Sequence, residues 1–181
     1  MHRRRARQSP DLARALDALR RIVRAGRGSA QTVESRYGVS AAQLFVLQIL
    51  AESPGLSIKD LVGLTLTTNS SVSEVVGRLV GSGLVTRETA SEDRRRKVLR
   101  LTEDGREIVR RSPRTVQQDL IEGFTRLSAA HQRSLAASLD EWCRVSGFGS
   151  FPPTMLFEPA RVAAAPAKRR GRAKAHASPT R

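Results

Sequence analysis

A mainly helical chain with one small β-hairpin and strongly basic ends is the architecture this sequence predicts, on three observations. Aromatic residues fill only 4% of the 181 positions while hydrophobic residues fill 39%, which favours packed aliphatic helices over a sheet sandwich. Ser/Thr-x-x-acid or -amide capping signals recur just ahead of apolar stripes at helical spacing. One short region, Leu84-Val85-Thr86-Arg87 and then Val98-Leu99-Arg100-Leu101, reads as two strands joined by a loop.

The elements follow in chain order. Ser9-Pro10-Asp11 is a helix start: a capping hydroxyl, a proline whose missing N–H costs nothing there, and an acid at the positive end. Leu12, Leu16, Leu19, Ile22 and Val23 form its apolar stripe. Gly26 and Gly28 are expected to loosen this helix, with a further turn or two from Ala30 to Tyr37. Ser40-Ala41-Ala42-Gln43 is a capping-box pattern, and the run Leu44 to Leu50 behind it is apolar nearly all round, which predicts a helix at the centre of the core. Pro54-Gly55 ends it.

Ser57 to Asp60 opens a short helix with Leu61, Val62 and Leu64 inward, and Thr65 to Thr68 forms a turn. Thr68 caps the next helix, whose buried stripe is Val72, Val75, Val76 and Leu79. Its other face carries Asn69, Ser70, Ser71, Ser73, Glu74, Gly77 and Arg78. Short hydroxyl and amide residues are poor helix formers, and a merely solvated face would more usually carry Glu and Lys. Side chains of that size suit close approach to phosphates and base edges. Two short helices joined by a tight turn, the second with such a face, make a helix-turn-helix.

Gly83 stops that helix and the two strands follow. The loop between them, ETASEDRRRK, holds four consecutive cations, Arg94, Arg95, Arg96 and Lys97, at the tip of a β-wing. A narrow arginine-bearing tip fits a minor groove, where the negative potential is deepest. Asp93 in that tip reads either as a turn former or as an acceptor that fixes the aim of Arg95, and the two roles are compatible.

Thr102-Glu103-Asp104 starts another helix with Ile108 and Val109 inward. Pro113 breaks or kinks it before a continuation through Val116, Leu120, Ile121 and Phe124. Ser128 caps a last helix with Leu135, Leu139, Trp142 and Cys143 on one stripe, where Cys143 reads as a packing residue rather than a sensor. These outer helices carry more apolar surface than one small winged module can cover, so pairing of two subunits is expected. The resulting organisation is a basic disordered arm at 1–8, a folded domain at 9–148 and a disordered basic tail rich in Ala and Pro at 149–181.

The net charge is +15, and its distribution matters more than its size. Arg3, Arg4, Arg5 and Arg7 precede Ser9 without an acid, and seven cations against Glu158 follow Phe148, which leaves +5 for the middle. A polyanion repays clustered cations through counterion release, so double-stranded DNA is the leading partner. Within the tail, KRRGRAK places Arg169, Arg170 and Arg172 in the Arg-Gly-Arg arrangement of an AT-hook. Ala173 stands where that motif's proline usually follows, so a generic polybasic tail is the competing reading.

Other classes lack support in the sequence. No apolar run reaches the ~18 residues of a membrane span, and the basic start has no apolar segment behind it. The single cysteine excludes an internal disulfide and fits a reducing compartment, so a cytoplasmic, nucleoid-associated protein is expected. His2, His131 and His176 are scattered without metal-ligand spacing. No GxSxG, Gly-rich phosphate loop or HExxH is present, so neither an enzyme nor a cofactor is expected.

With these residues in view, SSVSEVVGRLVGSGLV and the wing DRRRKVLRLTEDG resemble the multiple-antibiotic-resistance repressor (MarR) family of transcription regulators. Asp93, Arg95, Leu101, Thr102 and Gly105 fit its wing pattern, and the resemblance spans about residues 10–146. It implies a triangular homodimer with intertwined first and last helices and one winged helix-turn-helix lobe per subunit. It also implies a pseudo-palindromic operator with half-sites about one helical turn apart, roughly 10 bp. The family's usual mode is repression relieved by a small-molecule effector or by oxidation, with a ligand pocket between dimer helices and lobe whose residues the sequence does not define. Three departures stand out. Glu74 replaces a basic residue common in the reading helix. Gly77 costs about 1 kcal/mol against alanine. The first helix has no cysteine of the kind peroxide-sensing members use. The alternative function is an architectural protein that coats DNA through its basic tails without regard to sequence.

Overall fold

The computed structural model describes residues 9–89, 97–151 and 153–158. Among these described residues, seven helices and one hairpin follow in the order α1 (Pro10–Tyr37), α2 (Ala41–Glu52), α3 (Ile58–Thr65), α4 (Asn69–Gly81), β1 (Val85–Thr89), β2 (Lys97–Leu101), α5 (Glu103–Arg111), α6 (Val116–Thr125) and α7 (Ala129–Val145). The predicted class, mainly α with a small β-hairpin wing, is the one observed.

The capping chemistry sets most helix starts. Ser9 Oγ accepts from the Asp11 amide, and Ser40 with Gln43 forms a complete capping box, as does Ser57 with Asp60. Thr115 and Gln118 form a third box that starts α6 three residues beyond Pro113. The loosening expected in α1 at Gly26 and Gly28, with a separate turn or two after Ala30, is absent. One helix of 28 residues runs to Tyr37 and ends on Gly38 at φ 67°, a left-handed cap that glycine adopts at no steric cost. Its apolar spacing persists past the glycines to Val33, which is buried in the core, and packing overrides the local propensity.

α2 is the hub. Its residues Leu44 to Leu50 are all buried, and α1, α3, α4, α5 and β2 surround it. Gln48, the polar member of that run, donates from Nε2 to the Pro113 carbonyl at 2.8 Å. Tyr37 Oη likewise donates to the Arg111 carbonyl at 2.6 Å, so two side chains from different helices pin the junction between α5 and α6. On the exposed rim of α5, hydrogen bonds first from Arg106 and then from Arg110 hold the Glu103 carboxyl below its ordinary pKa.

The hairpin pairs antiparallel in the register Val85↔Leu101 to Thr89↔Lys97. Its root is built into the core through Val85, Leu99 and Leu101, and the Leu99 amide bonds to the Leu56 carbonyl at 2.8 Å. The Leu99 carbonyl in turn accepts from the Gly55 amide at 3.3 Å. The turn after α2 is thereby tied to the outer edge of β2.

Two further expectations need correction. Cys143 is exposed rather than packed, because nothing within the described chain covers the stripe it flanks. The assignment of everything after Phe148 to a disordered tail also fails in part: residues 153–158 pack back onto the fold, with Met155 only 3% exposed.

Candidate nucleic-acid interface

The helix-turn-helix is assembled from α3 and α4. The turn between them passes through Leu66, a non-glycine residue at φ 55° that is exposed and ends α3 in a left-handed cap. Thr68 then caps α4, its Oγ1 accepting from the Ser71 amide at 3.3 Å and lying 3.1 Å from Ser70 Oγ. Val72, Val75, Val76 and Leu79 are buried as expected, which fixes how α4 is rotated about its axis.

That rotation sorts the polar residues of α4 into two groups. Asn69, Ser70, Glu74 and Gly77 point to solvent, with Ser73 beside them, half-exposed and donating to Asn69 Oδ1 at 3.0 Å. Ser71 and Arg78, 7 residues or about two turns apart, lie together on a flank. Both meet the returning C-terminal segment there. Ser71 Oγ accepts from the Met155 amide at 3.2 Å, and Arg78 Nη2 donates to Glu158 Oε1. A second carboxylate, Glu74, approaches Arg78 Nη1 at 3.7 Å. Arg78 Nε is buried with no partner among the described residues.

In the wing, Lys97 begins β2 and donates from Nζ to Thr89 Oγ1 at 2.7 Å across the hairpin. Arg100 pairs with Glu88 at 2.9 Å on the opposite face of the hairpin, and Arg87 is exposed. The loop residues Asp93, Arg94, Arg95 and Arg96 lie outside the described residues, as do Arg169, Arg170 and Arg172.

The other half of the wing signature has a structural role. Leu101 is buried. Thr102 caps α5 by accepting from the Gly105 amide at 3.1 Å, and its hydroxyl donates to the Gly83 carbonyl at 2.8 Å. Gly105 lies so close to the Leu84 carbonyl that a β-carbon there would collide with it. These three residues lock the end of the hairpin onto the start of α5 and the loop after α4. The segment 153–158 was missed in sequence because a six-residue strand of chain among prolines and alanines has no periodicity to detect. Among the described residues no group of three or more His, Cys, Asp and Glu could hold a metal ion, and no helix is long and apolar enough to cross a membrane.

A helix-turn-helix whose second helix presents short polar side chains, followed by a hairpin rooted in the same core, defines a winged helix-turn-helix lobe. Comparison with known proteins carries this to a family. The MarR family model matches residues 37–96. A Thauera aromatica protein described as a transcriptional regulatory protein for the hcr operon is 32% identical over 117 residues, covering 65% of this chain and 70% of that protein. The transcriptional regulator HosA of Escherichia coli O157:H7 is 31% identical over 67 residues, 37% of this chain and 50% of its own length. Among solved structures, the reduced form of MarR from E. coli aligns at 22% identity over 70% of this chain and 93% of that one, with a TM-score of 0.49. The chain belongs to the MarR family and is a DNA-binding transcriptional regulator. Family membership does not favour the alternative of a sequence-independent coating protein.

Proposed function

We propose that this protein is a repressor that binds a pseudo-palindromic operator as a homodimer and is released by a small-molecule effector. The outward side chains of α4 (Asn69, Ser70, Ser73 and Glu74) face the major groove. The wing residues Arg94, Arg95 and Arg96 hold the minor groove or its flanking phosphates, and Lys97 stands at the wing's base.

One observation carries the dimer. Leu19 and Ile22 of α1, Phe124 of α6 and Leu135 and Leu139 of α7 are all between 39% and 47% exposed, and with Trp142 they line one apolar cleft of about 650 Å³. Apolar side chains left this open on three neighbouring helices mark an association surface. A second copy offering the same helices about a twofold axis would cover it and place two α4 helices on one duplex. Members of the family bind DNA as dimers and respond to small ligands, which supports the same reading.

The wing provides the test. Arg95→Ala is expected to weaken binding to an operator fragment by more than about tenfold, the loss of a charge-assisted groove contact, while the protein stays folded and dimeric. Unchanged affinity in a gel-shift or anisotropy titration would show that the wing does not touch DNA.

A further inference from the structure

We propose that residues 153–158 form an intramolecular strap that occupies Ser71 and Arg78 of the reading helix, and that the DNA backbone must displace Glu158 to engage Arg78. The proposal rests on the DNA-reading role of α4 given above.

The seat of the strap is built from four parts of the chain. Thr67 Oγ1, in the turn before α4, donates to the Pro153 carbonyl at 2.9 Å. The Met155 amide donates to Ser71 Oγ, and the Met155 side chain enters the core cluster. Ser40 Oγ, at the cap of α2, donates to Glu158 Oε2 at 2.8 Å while Arg78 takes the other carboxylate oxygen. The ring of Phe157 lies against Gly26 of α1, where any β-carbon would run into it. A bare α-carbon at position 26 is therefore what lets the Phe157 ring lie where it does, which explains a glycine in the middle of a long helix.

Charge gives this contact its consequence. Arg78 is the only cation in the α4 sequence, and two carboxylates, Glu158 and Glu74, approach it. With the strap seated, the reading helix offers a polyanion no uncompensated positive charge. The guanidinium is also only partly used, since its buried Nε has no partner among the described residues. A phosphate can take two parallel N–H donors from an arginine, so it competes effectively with a carboxylate bound through one. The strap also contains its own weak point. Phe157 sits at φ 60°, a left-handed conformation that disfavours a side chain with a β-carbon, so the seated form is strained and poised to leave.

The full-length chain tests this with a mixed-sequence DNA duplex at low salt, where phosphate contacts dominate affinity. Glu158→Gln removes the competing charge but leaves the basic tail intact. Gly26→Ala acts from α1, where alanine is the better helix former, and evicts Phe157 without touching α4. Each is expected to tighten binding roughly three- to tenfold per protomer, and the double variant no more than either alone, because both open the same strap. In the unsubstituted protein, the Met155 amide is expected to be protected from hydrogen exchange and to lose that protection when duplex is added. Weakened or unchanged binding in both variants, or protection retained in the complex, would reduce the strap to a structural staple and overturn the proposal. Failure of the unsubstituted chain and both variants to bind duplex at all would bring down the assignment of α4 itself.

Discussion

Helices α2 and α7 are both built on leucine-bearing stripes, yet nine residues of α2 are buried and, among the described residues, none of α7 is. α2 is apolar nearly all round and α7 along one stripe only, yet even that stripe is left uncovered by the described residues of its own chain. α2 meets five other elements of its own chain. α7 shares with α1 and α6 a cleft that opens to solvent. The first is a finished core and the second is half of one. Stability of the lobe should therefore be a property of a single chain, while the outer helices depend on a second copy, as proposed above.

Three substitutions press on that difference. Leu47 has no exposed surface, so Leu47→Ala should cost about 2–5 kcal/mol in denaturant unfolding through lost burial and a residual cavity. Its cost should be the same at high and low protein concentration. A concentration-dependent cost would mean that the lobe core is itself completed by association. Leu139→Glu buries a charge in the proposed dimer interface and should weaken association by about 3 kcal/mol, roughly a hundredfold, while the circular dichroism of the lobe is retained. Sedimentation that still shows a full-strength dimer would mean the α7 stripe is covered in some other way. The smallest effect is expected at Leu66, on the turn between α3 and α4, outside both apolar surfaces. Leu66→Gly relieves the left-handed strain and should raise the melting free energy by about 0.5 kcal/mol without changing association.

Much of this architecture was legible because it rests on short-range chemistry. The capping hydroxyls at Ser9, Ser40, Ser57, Thr68, Thr102 and Ser128 announce their helices, and the 3.6-residue spacing of Val72, Val75, Val76 and Leu79 fixes the inner face of α4. The same spacing, followed round the helix, puts Arg78 above Ser71 and off the outermost line. Residue type alone nevertheless suggested an outward arginine. What was not legible depends on contacts distant in sequence. Gly26 reads as a weak point in α1 until Phe157, far along the chain, is found against it. Cys143 reads as buried from its stripe, because periodicity reports which residues share a face and not whether anything lies over that face. Glu158 stands alone among tail cations in the sequence, and only the fold reveals it as the partner of Arg78.

The way the hairpin is mounted has a mechanical consequence. Leu99 lies opposite Arg87 of β1 but gives both its amide and its carbonyl to Leu56 and Gly55, in the turn after α2, so the arm is clamped at mid-strand like a cantilever. Beyond that clamp, Val98 and Lys97 extend the arm by about 7 Å. A tilt of about 10° where the central helix ends would swing Lys97 through roughly 1.2 Å, enough to make or miss a hydrogen bond. Small adjustments deep in the hydrophobic centre would in this way be passed outward to the end of the described hairpin.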